Sequence, residues 1–426
     1  MHKISMRSPA LRRARLLSLN VVIGTMFIGS PAASAFAETP SFYDLLQQAQ
    51  INAPQLLEQT ANVRAAQADA RQARAWSNPT LNATAENLGA PASGGLSQRQ
   101  DTYTLTQVFE VGGKRSARIA AEQKKSVAVV ARELLARVSF ANGLAVAYAT
   151  AEAMQLRKDV ADAELLRARD DLRAAQALVR AGREAVLRLL QARASAASAE
   201  AAVQSTSADA FEALERLSAL VGSPQAFTRI DHSLLMLAAD PRAIAVRASK
   251  DTPALAAAIA ERDAVSAQVL VEEKRWFPDI GVSIGLRKFG GTTDTAKTLA
   301  LTASIPLFDH NDSGISAARE RANAAAMRAE AARLDVIASH RVAAAQLQAS
   351  ALRLQATLQG EEAAIEAYRV GRIGYDAGKT ALLELLAIRR ALSDAKLLTI
   401  EARLAQLRAV ANLSTAEGRI AFEEKS

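Results

Sequence analysis

The chain has 426 residues, 50% of them hydrophobic and 23% charged, with a formal net charge of +8 and no cysteine. The missing cysteine excludes disulfides, thiolate metal sites and a lipidated N-terminal cysteine. The charge is concentrated at the start. Lys3, Arg7, Arg12, Arg13 and Arg15 precede an apolar stretch from Leu16 to Ile28, and Ala33-Ser34-Ala35 and Ala35-Phe36-Ala37 offer small residues for cleavage. This pattern predicts a secretory signal over residues 1–37, too short in its apolar part for an ordinary membrane span. Loss of those five basic residues lowers the charge from +8 to +3, weak ground for nucleic-acid binding. No later segment approaches the ~20 apolar residues of a membrane helix, so membrane contact of the exported chain must come from strands.

Phe42 to Ala75 reads as helix, interrupted at Pro54 and ended by Asn78-Pro79. Leu81, Ala83 and Ala85 then alternate with Thr80, Asn82, Thr84 and Glu86. After a loop with Gly89, Pro91, Gly94 and Gly95, Tyr103, Leu105, Gln107 and Phe109 alternate with Thr104, Thr106 and Val108. This is a strand, loop, strand unit. From Lys114 to Val179 there is no proline and only Gly143 as glycine, which predicts a helix of about 65 residues, roughly 100 Å long. An Ala181-Gly182-Arg183 turn and a second helix to about Leu220 follow.

The same order then recurs. Pro253, Trp276 and Pro278 repeat Pro54, Trp76 and Pro79. Ile280, Val282, Ile284 and Leu286 alternate with Gly281, Ser283, Gly285 and Arg287. A loop with Gly290, Gly291, Thr292 and Thr293 leads to a return strand with Leu299, Leu301, Ala303 and Ile305 on one face. A second long proline-free stretch, Gly314 to Tyr375, reaches an Ala377-Gly378-Lys379 turn and a helix to about Leu413. The chain therefore divides into 1–37 (signal), 38–222 (first repeat), 223–241 (linker), 242–416 (second repeat) and 417–426 (tail).

Strands of about 9 residues with one apolar and one small or polar face suit a tilted barrel strand with lipid on one side and water on the other. A half-buried soluble hairpin has the same alternation. The long helices favour the barrel, because helices of that length persist only by packing along their whole course. Two strands per repeat cannot close a sheet alone, so the pattern points to a larger assembly. Trp76 and Trp276, just before each strand pair, fit either a membrane interface or contact between strand and helix layers.

Two segments carry a family resemblance. Thr106-Gln107-Val108-Phe109-Glu110-Val111-Gly112-Gly113-Lys114-Arg115 and Ile305-Pro306-Leu307-Phe308-Asp309-His310-Asn311-Asp312-Ser313-Gly314 resemble the strand-to-helix junctions of the TolC-like outer membrane efflux proteins. Gly112, Gly113, Pro306 and Gly314 mark these junctions, and the first is similar to CzcC-like heavy-metal efflux components. The resemblance covers nearly all of the mature chain. It implies a mainly α fold with a β-barrel part: a homotrimer with four strands per chain closing a twelve-stranded barrel, continued by an α-helical periplasmic tunnel. It also implies residence in the outer membrane of a Gram-negative bacterium, a periplasmic adaptor protein and an inner-membrane RND-type pump as partners, outer membrane lipid around the barrel, and no enzymatic activity.

The helical turns then become tips for adaptor contact: Arg180, Ala181, Gly182 and Arg183 in one hairpin, and Asp376, Ala377, Gly378 and Lys379 in the other. Glycine takes left-handed backbone angles at little cost, which alone accounts for a tight helical turn. Arg188 lies six residues after Gly182 and Glu384 six after Gly378. The resemblance places Glu384 where an acidic residue lines a closed entrance. Level tips with opposite charges lead us to expect an acidic ring from Glu384 and a clasp on a neighbouring hairpin from Arg188; two solvated charges are the alternative.

His2, His232, His310 and His340 are far apart, and no spacing resembles a metal ligand set. No phosphate loop, nucleophile elbow or catalytic dyad is present, and no cofactor is expected. Export of heavy-metal cations such as cobalt, zinc, cadmium or nickel is the leading expectation. A duct for drugs, solvents or type I secretion, and a periplasmic coiled-coil scaffold without a pore, are the alternatives.

Overall fold

The computed structural model describes residues 40–89, 99–238, 252–290 and 293–422. The expected signal, loop residues Pro91, Gly94, Gly95, Gly291 and Thr292, the linker end at 239–241 and the last tail residues lie outside them.

Capping and proline placement set the first elements. Ser41 accepts from the Asp44 amide at the start of α1 (Phe42–Asn52), and Pro54 opens α2 (Pro54–Gln72), where a missing N–H costs nothing. The second helix stops at Gln72, short of the expected Ala75, and its closing carbonyls are taken by arginines. Arg118 Nε donates to the Ala73 carbonyl at 3.2 Å, and Arg115 donates to the Arg74 carbonyl. The chain continues through β1 (Thr80–Glu86), β2 (Gln100–Glu110), α3 (Lys114–Arg180), α4 (Val186–Val221), α5 (Leu234–Leu237) and α6 (Pro253–Lys274). It ends with β3 (Asp279–Phe289), β4 (Thr295–Ala303), α7 (Asp312–Asp376) and α8 (Leu382–Glu417). Ile305, expected on the return strand, lies beyond β4. Proline has no amide hydrogen to give to a ladder, so Pro306 limits the strand.

The strands of both repeats form one antiparallel sheet in the order β1-β2-β3-β4, with β2 against β3 joining the halves. The long helices α3 and α7 have 67 and 65 residues. Nearer the sheet α3 packs with α2 and α6, and α6 with α7; farther away α3 packs with α4 and α8, and α7 with α8. Buried alanines recur at heptad spacing, as at Ala121 and Ala128, Ala168 and Ala175, and Ala318 and Ala325. That is the spacing of coiled-coil contact, and small side chains let helices approach on two sides. Ion pairs tie the α6 segment to both long helices: Arg132 to Glu261, Lys124 to Asp263 at 3.7 Å, and Arg319 to Glu273 at 2.8 Å.

The principal core lies midway along the helices. Phe42 and Leu45 of α1, Leu144 and Tyr148 of α3, Leu217 of α4, Leu235 of α5 and Leu407 of α8 meet there. Tyr148 is fully buried, and its hydroxyl donates to the His232 carbonyl at 2.8 Å. Contrary to the sequence expectation, α3 is apolar enough over 18 residues to resemble a membrane span, with a mean hydropathy of 1.2; half of that window is buried in the fold.

Glu152 fastens the linker to this core. Its carboxylate accepts from the Leu234 amide at 2.9 Å, the Leu235 amide at 3.1 Å and the Ser233 hydroxyl. Burial pushes its pKa above the ordinary carboxylate value, while those donors and Arg403 pull it down without cancelling the rise. A carboxyl with a raised folded-state pKa adds stability below its unfolded pKa, and that increment is lost as pH rises through the folded value. The thermal stability of the wild type relative to Glu152→Gln is therefore expected to improve as pH falls from about 7 to about 4. A difference that does not change with pH would contradict this.

Gly112 shows how closely the sheet meets the helices. Its φ is +67°, and a Cβ there would stand 2.1 Å from Cγ of Phe277. Gly182 has the same φ with open space around it. Gly182→Ala should cost about 1 kcal/mol of backbone strain, and Gly112→Ala clearly more, because the Phe277 ring must also move. Melting of the two purified variants tests this; equal losses would show that the Phe277 contact is easily relieved.

Candidate functional site

The sheet has two chemically distinct faces. Leu81, Tyr103, Leu105, Ile284, Leu286, Leu299 and Leu301 lie on one, all substantially exposed, with Leu299 at 75%. The other carries hydroxyls and glycines. Thr106 and Ser283 share a 2.7 Å hydrogen bond, and Arg287 Nε donates to the Thr102 hydroxyl at 3.1 Å. A Cβ on Gly285 would meet the Tyr103 carbonyl oxygen at 2.5 Å and side chains of Thr104 and Thr298 at 2.7 Å, so the flanking threonines close over the glycine. Within the chain, β1 and β4 each have one unpaired edge. An apolar face and two open edges suit closure in lipid with strands from outside the chain.

The junctions join this sheet to the helices. Gly112 and Gly113 form the turn before α3, both with positive φ, and Lys114 bonds Asp279 at 2.8 Å across the repeats. Trp76 packs edge-on against Phe109, 6.1 Å between centroids, with the Arg115 guanidinium 4.8 Å from its ring. Trp276 lies 4.5 Å from Phe277. Trp76 thus bridges strand and helix layers, whereas Trp276 stacks on its sequence neighbour. In the second repeat, Pro306 sits between β4 and α7, and Gly314 in the first turn of α7 lies against the Asn311 side chain. Asn311 Nδ2 donates to the Glu272 carbonyl and carboxylate at 3.0 and 2.9 Å. Its bond and that of Arg275 hold the Glu272 carboxyl below its ordinary pKa.

At the far end the two hairpins turn alike. Gly182 and Gly378 have φ of +67° and +70°. The Arg183 amide bonds the Leu178 carbonyl at 2.9 Å, and the Lys379 amide bonds the Gly374 carbonyl at 2.8 Å. This is the Schellman closure of a helix end, and it needs the left-handed glycine. Arg180 and Asp376 are the last residues of their helices; Ala181 and Arg183, and Ala377 and Lys379, stand in the turns.

The tips are linked by side chains from both repeats. Arg188 pairs with Glu184 at 2.6 Å on its own hairpin and reaches the Tyr375 hydroxyl at 3.4 Å on the other. Glu384 is exposed and forms no ion pair among the described residues. The stronger link involves a residue absent from the sequence expectation. Arg389 of α8 bonds Glu164 at 3.0 Å and also Asp171, both on α3, with only 11% of its side chain exposed. Together with Arg167, Asp171, Arg188, Tyr368 and Tyr375 it lines a cavity of about 240 Å³ between the hairpins. A usable signal existed: Asp171 lies eleven residues before Gly182 and Arg389 eleven after Gly378, so level tips bring them to one height.

His232, His310 and His340 are not brought together, and among the described residues no group of three or more His, Asp or Glu is placed to hold a metal ion. His340 instead lies 3.7 Å from Glu417.

Comparison with known proteins agrees with this geometry. The family described as outer membrane efflux protein matches residues 45–223 and 245–419. The chain belongs to the outer membrane efflux protein family. It is similar to the nickel-cobalt-cadmium resistance protein NccC of Alcaligenes xylosoxydans xylosoxydans, 51% identical over 95% of this chain and 92% of that one. It is also similar to the nickel and cobalt resistance protein CnrC of Cupriavidus metallidurans, 52% identical over 93% and 96%. Among solved structures, the channel protein CusC matches with a TM-score of 0.73 and 18% identity, over 89% of this chain and 92% of that one. The fold is that of the TolC-like channels. The outer membrane efflux proteins are channels rather than a family of enzymes.

In this efflux protein, Arg389→Ala removes the shared partner of two α3 carboxylates. The loss is expected to be about 1.5–3 kcal/mol locally, read as faster amide exchange in 164–176 and 385–396. Arg188→Ala, which gives up a pair within its own hairpin and only one long hydrogen bond to the other, should change exchange there little. Equal effects from the two variants would refute this ranking.

Proposed function

We propose that three copies of this chain form the outer membrane duct of a tripartite heavy-metal efflux system in a Gram-negative bacterium. The single observation that carries the cargo is the extensive likeness to NccC and CnrC, both named for resistance to nickel and cobalt. The two-faced sheet with open edges supports the trimer: four strands from each copy close a twelve-stranded barrel with the hydroxyl face inward. The paired helices continue it as a water-filled periplasmic tunnel. Substrate passes through water and no covalent bond changes.

At the periplasmic end, the turns Arg180–Arg183 and Asp376–Lys379 meet a periplasmic adaptor, which connects the duct to an inner-membrane RND-type pump. Glu384, free of ion pairs among the described residues, contributes one carboxylate per copy to an acidic ring at the entrance. Arg188 and Arg389 hold the two hairpins of each copy together. Contacts of this kind, repeated three times, bias closed against open. A ring of carboxylates concentrates cations without binding them tightly, so release is not slowed.

Single-channel conductance of the mature protein in a planar bilayer, with its mass determined in the same detergent, tests the duct. Discrete channels from a trimer are expected. Glu384→Ala should lower the preference for cations over anions, and Arg188→Ala should raise the time spent open. Soluble protein that never inserts would overturn the duct, and wild-type behaviour of both variants would overturn the gate. Deletion of the gene should lower tolerance to nickel, cobalt or cadmium; loss of drug or solvent tolerance alone would reassign the cargo.

A further inference from the structure

The apolar face of the sheet is not uniform. It holds an open groove of about 460 Å³ whose walls include Leu81, Leu105 and Ile284 below and Tyr103, Leu286 and Lys297 above. The strand register orders these residues in rows. Leu81, Leu105, Ile284 and Leu299 are partners across four strands, and Tyr103, Leu286 and Lys297 are partners in the next row on that face, toward the hairpin loops. One row farther, Asp101 is the partner of Lys288. Alternation puts Lys288 on the same face as Leu286, diagonal to Lys297.

The groove therefore has an apolar floor and a cationic rim. Both lysines are exposed, and neither forms an ion pair among the described residues. The nearby carboxylate of Asp101 is engaged by Arg99 at 3.2 Å. The Tyr103 ring stands at the level where apolar gives way to charged, as interfacial aromatics do. On the barrel reading this face meets lipid, and the loop end, remote from the long helices, lies at the outer leaflet.

We propose that this groove is a binding site for a phosphorylated glycolipid of the outer leaflet, of the lipid A type. One acyl chain lies along Leu81, Leu105, Ile284 and Leu286, and a phosphate is held between Lys288 and Lys297. Three arguments favour this occupant over a second copy of the chain or a neutral lipid. Copies meet through the open edges β1 and β4, which leaves this face to lipid. The charged rim and apolar floor match the two ends of one phosphorylated amphiphile. Lysines also reach past an apolar surface to place their ammonium groups at the headgroup level.

The inference rests on the barrel assignment, so channel formation is measured alongside it. The trimer would be purified in mild detergent, incubated with bis-phosphorylated lipid A, fully dephosphorylated lipid A or phosphatidylglycerol, and examined by native mass spectrometry. Retention of the bis-phosphorylated form is expected, falling by about tenfold or more in K288A/K297A and surviving in K288R/K297R. Equal retention of the dephosphorylated form, equal retention of phosphatidylglycerol, or full retention by the double alanine variant would each overturn the site. If K288A/K297A still forms channels, such a result leaves the duct intact; protein that forms no channels in any version refutes the barrel instead.

Discussion

Everything above the tips depends on one constraint: a sheet edge cannot stay open in lipid. An unpaired amide or carbonyl in hydrocarbon costs several kcal/mol, and β1 and β4 each expose a row of them. The chain does not close its own sheet, since four strands are too few to surround a channel. It must borrow strands, and on the proposed trimer identical copies provide them with the correct twist and register. The outward leucines and isoleucines and the inward threonines then follow from the two solvents on either side. The glycines at 281 and 285 follow in turn, because threonine side chains from neighbouring strands occupy the space above them.

The helices inherit their problem from that closure. A barrel assembled from separate chains needs a continuous wall beneath it, with no copy free to tilt. Heptad alanines on α3 and α7 permit close approach on two sides, and the mid-length core around Tyr148 sets how the helices sit against one another. Glu152 extends this order to the linker by accepting the first amides of α5. At the first junction the demand is steric as well as electrostatic: Lys114 pairs with Asp279, and Phe277 lies over Gly112, where no side chain fits.

Much of this is legible in the sequence, for identifiable reasons. Alternation from Ile280 to Leu286 marks a strand because each step of two returns to the same face. Long stretches without proline mark α3 and α7, and the tip glycines mark their ends. The strand end at Ala303 is less legible, because Ile305 continues the apolar alternation while Pro306 ends the pairing. The Arg389 clasp is hidden for a different reason. One arginine among the many charges of α8 has no local signature, and its carboxylates lie some two hundred residues away on another helix. Only the equal offsets from Gly182 and Gly378 connect them. Glu152 has even less signature, since two of its partners are backbone amides, which no residue pattern announces.

The two ends of the molecule also differ in the kind of contact that can hold them. Strands in lipid are joined by backbone hydrogen bonds that have no competing water, so separating them is prohibitive and the barrel serves as a fixed ring. The hairpin tips are held by Arg389, Arg188, Tyr375 and their acidic partners at the border of solvent. There water replaces each broken bond, and a single link is worth only about 0–3 kcal/mol. An opening movement of a few such links is within reach of the contact energy of a docking protein, whereas an opening of the barrel is not. On the proposed duct reading the gate therefore belongs at the helical end, where water has access to the bonds.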